Sequence, residues 1–192
     1  MKKLLILRHG PTRWNENKCL QGLTDIPLSN TGRNVVKAWR IPTEYEDFQC
    51  MSSPLQRAFE TAQLLSLKPT PTPALVEMCW GEWEGKKLAD LRDQLGDKMV
   101  QNEAGGLDFC PPKGESPRDV QNRLKPWLQG LNTSTIAVAH RGVIRALYAL
   151  ARDWDMKQKP PDRLDKFSAH LFQIDDQGRP VVERLNIQLE GL

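Results

Sequence analysis

Two segments, one near each end of the chain, share an order of residue types that leaves few folds open. Leu4-Leu5-Ile6-Leu7 runs into Arg8-His9-Gly10, and Val138-Ala139 runs into His140-Arg141-Gly142 and then Val143-Ile144-Arg145. In each case an apolar run of strand length ends at a histidine, and a glycine follows where the backbone must turn. Ligands of open α/β sheets bind beyond the carboxyl ends of the strands. The two histidines are therefore expected to meet there, despite their distance along the chain.

The rest of the sequence supplies the elements such a sheet needs. Residues 3–8, 48–52 and 135–139 are expected as strands, and 167–174 and 181–185 as closing strands around the turn Asp175-Asp176-Gln177-Gly178. A helix is expected from Thr31-Gly32 toward Trp39-Arg40, and another over 143–151. Ser53 is placed as the cap of a helix with Pro54 at its first position, carrying Leu55, Ala58, Ala62 and Leu65 as one apolar stripe. Ser116-Pro117 repeats that signal before Val120, Leu124, Trp127 and Leu128. The proline-rich stretch 68–73 is expected as a stiff surface connection. Residues 86–115 contain one helical pattern, Leu88 to Leu95, broken by Gly105-Gly106 and Pro111-Pro112, and are expected to lie over the pocket as a lid. Strands alternating with helices imply an α/β domain with a largely parallel sheet, and residues 1–192 are taken as one domain.

Composition narrows the class of function. The 192 residues can bury a substantial core, and 27 basic against 24 acidic residues give a formal charge of only +3. No basic run or aromatic interleaving suggests nucleic acid. The apolar run after Met1-Lys2-Lys3 stops after Leu7, short of a secretory signal. No window approaches the roughly 20 apolar residues of a membrane span. Cys19, Cys50, Cys79 and Cys110 show no zinc spacing and are expected as free thiols. These features suggest a soluble, cytoplasmic protein with neither membrane nor nucleic-acid partner, and leave oligomeric state open.

The two histidine segments belong to a longer set of motifs. Leu7 to Thr12 is followed by Trp14-Asn15, by Leu20-Gln21-Gly22, and by Asp25-Ile26-Pro27-Leu28-Ser29 with Thr31-Gly32. Next come Ser52-Ser53-Pro54-Leu55-Gln56-Arg57, Leu75-Val76-Glu77 and Gly81-Glu82-Trp83-Glu84-Gly85. Gly114-Glu115-Ser116, Asp119-Val120 and Arg123 precede the second histidine. In this order, across nearly the whole chain, the sequence resembles the histidine phosphatase superfamily, the phosphoglycerate-mutase-like proteins of branch 1, and is most similar to its small phosphatases. The resemblance implies a three-layer α/β/α sandwich with the pocket at the carboxyl edge of a mostly parallel sheet.

The residue types suit that chemistry. A phosphate monoester carries about two negative charges and repels a nucleophile unless cations surround it. Arg8, Arg57 and His140 are expected as that positive ring, because arginine donates paired hydrogen bonds and stays protonated. His9 is the expected nucleophile, kept neutral by the cations near it, and water then cleaves a phosphohistidine. By resemblance Glu77 holds the acid position, protonating the leaving alkoxide and later activating water; Glu82 and Glu84 are the alternatives nearby. Asn15, Gln21, Gly22 and Gly142 are assigned to substrate binding. No metal ligand set and no cofactor are expected. The expected partner is a small phosphate ester.

Two positions depart from the family pattern: Pro11, and Arg141 after the second histidine. An Arg141 facing the pocket mouth would favour a substrate of extra negative charge. Trp80 and Trp83 form either an apolar wall for a substrate ring or ordinary packing. The segment between Gly85 and Glu115 lacks a clear anion clamp, which favours hydrolysis over the phosphoglycerate mutase reaction. A non-catalytic phosphate-binding protein on the same fold is the third reading. Small phosphatases of the family act on α-ribazole phosphate, sugar phosphates or glycerate phosphates, and the sequence does not choose among them.

Overall fold

Strand β1 (Lys2–Arg8) lies at the centre of the sheet, and its Leu4, Leu5, Ile6 and Leu7 are all fully buried. The computed structural model describes residues 1–189. The other strands are β2 (Gln49–Ser52), β3 (Thr70–Pro71), β4 (Thr135–Ala139), β5 (Ser168–Ile174) and β6 (Pro180–Gln188). They lie in the order β3-β2-β4-β1-β5-β6. β1, β2, β3 and β4 run parallel to one another, and β5 and β6 close the other side by antiparallel pairing. The proline-rich stretch accordingly supplies the short edge strand β3, a sheet position where proline's missing donor is tolerated.

Successive side chains of a strand point to opposite faces, and both faces here are apolar and covered. Leu4, Ile6, Ala137 and Phe172 pack with Val120, Leu124 and Leu128 of helix α6 (Pro117–Gln129) and Val143 and Leu147 of helix α7 (Arg141–Arg152). Leu5, Leu7, Ile136 and Val138 pack with Val36 of helix α2 (Asn30–Ala38) and Ala58 and Ala62 of helix α3 (Gln56–Leu64). The result is the expected three-layer α/β arrangement. A one-turn helix α1 (Arg13–Glu16) follows β1, and α4 (Leu88–Leu95) and α5 (Asp97–Glu103) occupy the stretch between the Glu77 segment and α6. No described helix is long and apolar enough to cross a membrane.

Helix starts show where local signals held. Ser116 caps α6 with a full capping box and Pro117 in the first turn, as its sequence implies. Ser29, just before the expected start, caps α2 through the Gly32 amide. At α3 the expectation is corrected. The helix begins at Gln56 rather than Pro54, because the Ser53 amide is still bonded to Val138 O as a continuation of the strand. The Gln56 amide donates instead to Asp25 Oδ1 at 2.8 Å, a cap supplied from a distant loop. Asp25→Ala is therefore expected to lower stability by about 1 kcal/mol, read as a shift in urea midpoint; an unchanged midpoint would contradict the assignment.

His170 sits in β5 opposite Ile6, and its Nδ1 accepts the Asn186 amide at 3.2 Å. Burial pushes its pKa down from 6.5 to about 4. Between those values the unfolded chain holds a proton that the native imidazole lacks. Stability from this group is thus full above 6.5 and is lost as the pH falls toward 4, on the order of 2–3 kcal/mol. The midpoint gap between the native protein and His170→Gln is expected to narrow from about pH 7 to about pH 4.5. A constant gap would mean that the imidazole charges freely in the fold.

Candidate active site

The register of the central strands assembles the site. Arg8 lies opposite Ala139 in the parallel pair β1–β4, so the next residues, His9 and His140, leave the sheet side by side. Their ring centroids are 5.1 Å apart, inclined at 58°. Both are buried, His140 completely. His9 Nδ1 lies 2.6 Å from Gly10 O. A carbonyl can only accept, so Nδ1 carries the hydrogen and Nε2 presents its lone pair.

Arg57 is the second residue of α3 and is fully buried. Its Nη2 donates to Gly22 O at 2.7 Å and its Nη1 to Thr24 O at 3.0 Å. Two side chains with no role assigned from sequence in holding these loops do so: Thr61 joins α3 to the loop after His9, and Glu84, expected only as an alternative acid, holds the loop at 22–24. Thr61 Oγ1 accepts the Gly10 amide at 3.0 Å and donates to Arg57 O at 2.6 Å. Glu84 accepts the Leu23 and Thr24 amides, each at 2.9 Å, and the Trp80 amide at 3.2 Å. Gly22 has φ +57°, and a Cβ there would fall 1.9 Å from Glu84 Oε1. A side chain at this position would keep the loop from closing over Arg57 and offering it the Gly22 carbonyl.

Glu77 is held from two directions. Its Oε1 accepts the Met78 amide at 2.9 Å and the Gly142 amide at 3.0 Å; Oε2 has only a longer contact with the Gly142 amide, at 3.3 Å. Arg123 fastens the backbone around it, donating to Ala74 O at 2.6 Å and Val76 O at 2.7 Å, and pairs with Glu115, which accepts the Cys79 amide. Of the alternatives, Glu82 is an exposed partner of Lys113 and Glu84 is saturated by amide donors. The Gly142 amide, expected among the substrate contacts, faces Glu77 instead, and a Cβ on it would come within 2.4 Å of Glu77 Oε1.

Asn15 closes a capping box with Thr12, its Oδ1 accepting the Thr12 amide at 3.1 Å, so only its amino group is free for a ligand. Gln21 is buried. Trp80 and Trp83 both pack against Phe109, at 5.8 Å between centroids, which is the packing alternative.

The electrostatics differ from the expected ring of three cations. Burial, reinforced by Arg8 and Arg57, holds the His9 pKa well below its ordinary value. Burial, then His9 and the same arginines, does so for His140, whose ring is therefore neutral in the free protein. Two cations remain. Burial lowers the Arg8 guanidinium to about 10 and also lowers Arg57, opposed in both by the nearby Glu77 charge; both stay protonated at neutral pH. Among the described residues, the buried side-chain nitrogens and oxygens without a hydrogen-bond partner are Arg8 Nε, Gln21 Oε1, Arg57 Nε, and Nδ1 and Nε2 of His140. Buried polar groups are normally paired, and here the exceptions belong to Arg8, Arg57 and His140 and to Gln21, which precedes the Gly22 carbonyl that Arg57 holds.

Comparison with known proteins accords with this arrangement. Phosphoserine phosphatase 1 of Hydrogenobacter thermophilus is 28% identical over 200 residues, covering 97% of this chain and 93% of that protein. Phosphoglycerate mutase-like protein 4 of Arabidopsis thaliana is 28% identical over 189 residues, covering 91% and 80%. The crystal structure of phosphoserine phosphatase from Entamoeba histolytica in complex with 3-phosphoglyceric acid superposes with a TM-score of 0.80 at 26% identity, covering 97% of each chain. The family model of the histidine phosphatase superfamily (branch 1) matches residues 4–188, and the chain belongs to that superfamily.

Proposed function

We propose that the protein is a phosphatase that hydrolyses small phosphate monoesters through a phosphohistidine on His9, without a metal ion. The observation that carries this reading is the group of unpaired buried polar atoms on Arg8, Arg57 and His140 around a neutral His9. Fixed donors of this kind suit the equatorial oxygens of a phosphoryl group in transfer, where charge is concentrated and preorganised hydrogen bonds lower the barrier. The phosphatase names of relatives agree with it.

In the first step His9 Nε2 attacks phosphorus in line, and the P–O bond to the leaving group breaks. Glu77 takes the proton that the phosphate ester carries as it binds and passes it to the departing alkoxide from Oε2, the oxygen less engaged by backbone amides. In the second step Glu77 takes a proton from water, the water oxygen attacks phosphorus, and the N–P bond breaks to release inorganic phosphate and neutral His9. Arg57, Arg8 and His140 hold the phosphoryl oxygens throughout, and the free amino group of Asn15 and the side chain of Gln21 complete the donor set.

Residues 86–115 serve as a lid in one continuous domain. Both ends of the segment are tied to site loops: Leu20 N donates to Lys86 O, and Cys79 N donates to Glu115. The four free cysteines suit a cytoplasmic location. Phosphoglycerate mutase is the second reading, favoured by the mutase names of some relatives. The two differ in whether water or glycerate phosphate receives the phosphoryl group.

Phosphate release from an aryl phosphate and a panel of phosphorylated metabolites, measured in chelator, tests the reading. Hydrolysis that His9→Ala lowers by at least about a thousandfold is expected. Isomerised 3-phosphoglycerate without phosphate release would favour the mutase, and no turnover of any ester would contradict both. Gly142→Ala should push the Glu77 carboxylate aside and lower kcat by about 10- to 100-fold. A normal kcat in that variant would remove Glu77 from the proton-transfer role.

A further inference from the structure

Glu115 and Arg123 belong to a sequence motif that the phosphoryl transfer does not use directly, and the fold sets both against the Glu77 segment. Glu115 stands just before the Ser116 cap of α6, and Arg123 lies further along that helix. The capping box fixes the first turn of α6, and Val120, Leu124 and Leu128 hold its apolar face in the core. Both side chains are therefore presented from a rigid element. They pair with each other at 3.1 Å and are 24% and 28% exposed.

The pair grips the chain on both sides of Glu77. Before it, Arg123 Nη1 donates to Ala74 O at 2.6 Å and Nη2 to Val76 O at 2.7 Å. After it, Glu115 Oε2 accepts the Cys79 amide at 2.9 Å, and the Glu115 amide donates to Cys79 O at 2.9 Å. Arg123 Nε and Nη2 also reach the two Glu115 oxygens, at 3.1 and 3.3 Å. One planar guanidinium thus ties the carbonyls before the acid to the carboxylate behind it, a span that the point charge of a lysine does not reproduce. Glu77 Oε1 has close amide partners of its own, whereas Oε2 has only the 3.3 Å contact with the Gly142 amide. The placement of Oε2 therefore depends on the backbone that carries it.

We propose that Glu115 and Arg123 are positioning residues for proton transfer, which fix the backbone on either side of Glu77 and so set where its Oε2 stands relative to the leaving oxygen. The proposal rests on the reading of Glu77 as the acid. Among the described residues, neither side chain hydrogen-bonds to Arg8, His9 or Arg57. Loosening the frame leaves phosphate binding and attack by His9 in place and misplaces the proton donor, where an error of about 1 Å costs up to about a hundredfold in rate.

Esters that differ in their leaving group separate this role from a merely structural one. A nitrophenolate departs without a proton, whereas an alkoxide needs one. The quantity compared is kcat/KM, which ends with the departure of that group. Glu115→Gln and Arg123→Gln are each expected to lower it by about 10- to 100-fold for the alkyl phosphate that the native protein hydrolyses best, and by less than about threefold for nitrophenyl phosphate. Arg123→Lys, which keeps the charge without the planar fork, should behave as Arg123→Gln. Lys125→Gln, exposed on the same helix, should change neither rate. Glu77→Gln sets the scale and should show the same selectivity more strongly. Equal losses on both esters, or an unchanged alkyl rate, overturn the proposal while Glu77→Gln still discriminates. Glu115→Gln keeps an oxygen for the Cys79 amide, so it decides the matter even where Arg123→Gln fails to fold. Failure of the underlying reading shows separately, as a Glu77→Gln variant that spares the alkyl ester or native protein that hydrolyses no ester, and either result overturns the proposal with it.

Discussion

Arg8 and Ala139 face each other across two parallel strands, and the residue after each is a histidine. That single register sets the 5.1 Å approach of the two imidazoles and directs both toward the carboxyl edge of the sheet. The flanking strand β2 pairs with β4 in the same direction, so its continuation delivers α3 and Arg57 to the same edge. Slipping either strand by one residue would turn every side chain to the opposite face. Leu4 to Leu7 form an unbroken apolar run buried on both faces and bounded by Lys3 and Arg8, so a slip would draw a charged residue into the core.

Holding these groups inside the fold is expensive, and the surrounding structure is arranged to bear it. Arg57 spends two of its donors on backbone carbonyls of the Gly22 loop, and Glu84 pins that loop by its amides. Glu77 sits near both guanidiniums while its own position is fixed by the Gly142 and Met78 amides. What is left unpaired is Nε of Arg8 and of Arg57, both ring nitrogens of His140 and the Gln21 side-chain oxygen. Neutral imidazoles follow from the same burial: a nucleophile needs a lone pair, and low polarity beside two guanidiniums protects it.

Much of this was legible in the residues themselves. The apolar runs ending in His9 and His140 marked strands and their ends, and Ser116-Pro117 marked the start of α6 to the residue. Local signals misled where a distant residue competed. Ser53 has the chemistry of a helix cap, but Asp25 supplies the cap, and no window of sequence contains both. Gly142 is expected among the substrate contacts, yet its amide donates to Glu77, a partner fixed only by the fold. Thr61, Arg123 and Glu84 carry no local mark of their roles, which consist of long-range hydrogen bonds. The charge of His140 was also beyond the sequence, because burial decides it.

The proposed hydrolysis depends on a covalent bond between phosphorus and His9 Nε2, and trapping that bond is its most direct test. Native protein mixed with a reactive aryl phosphate is quenched in alkali, where phosphohistidine survives, and digested for peptide mass spectrometry with phosphorus NMR. A phosphoryl group on the peptide containing His9, bonded through Nε2 and absent from His9→Ala, is the predicted result. Turnover with no phosphorylated His9 at any quench time, or a phosphoryl group on His140 instead, would contradict it.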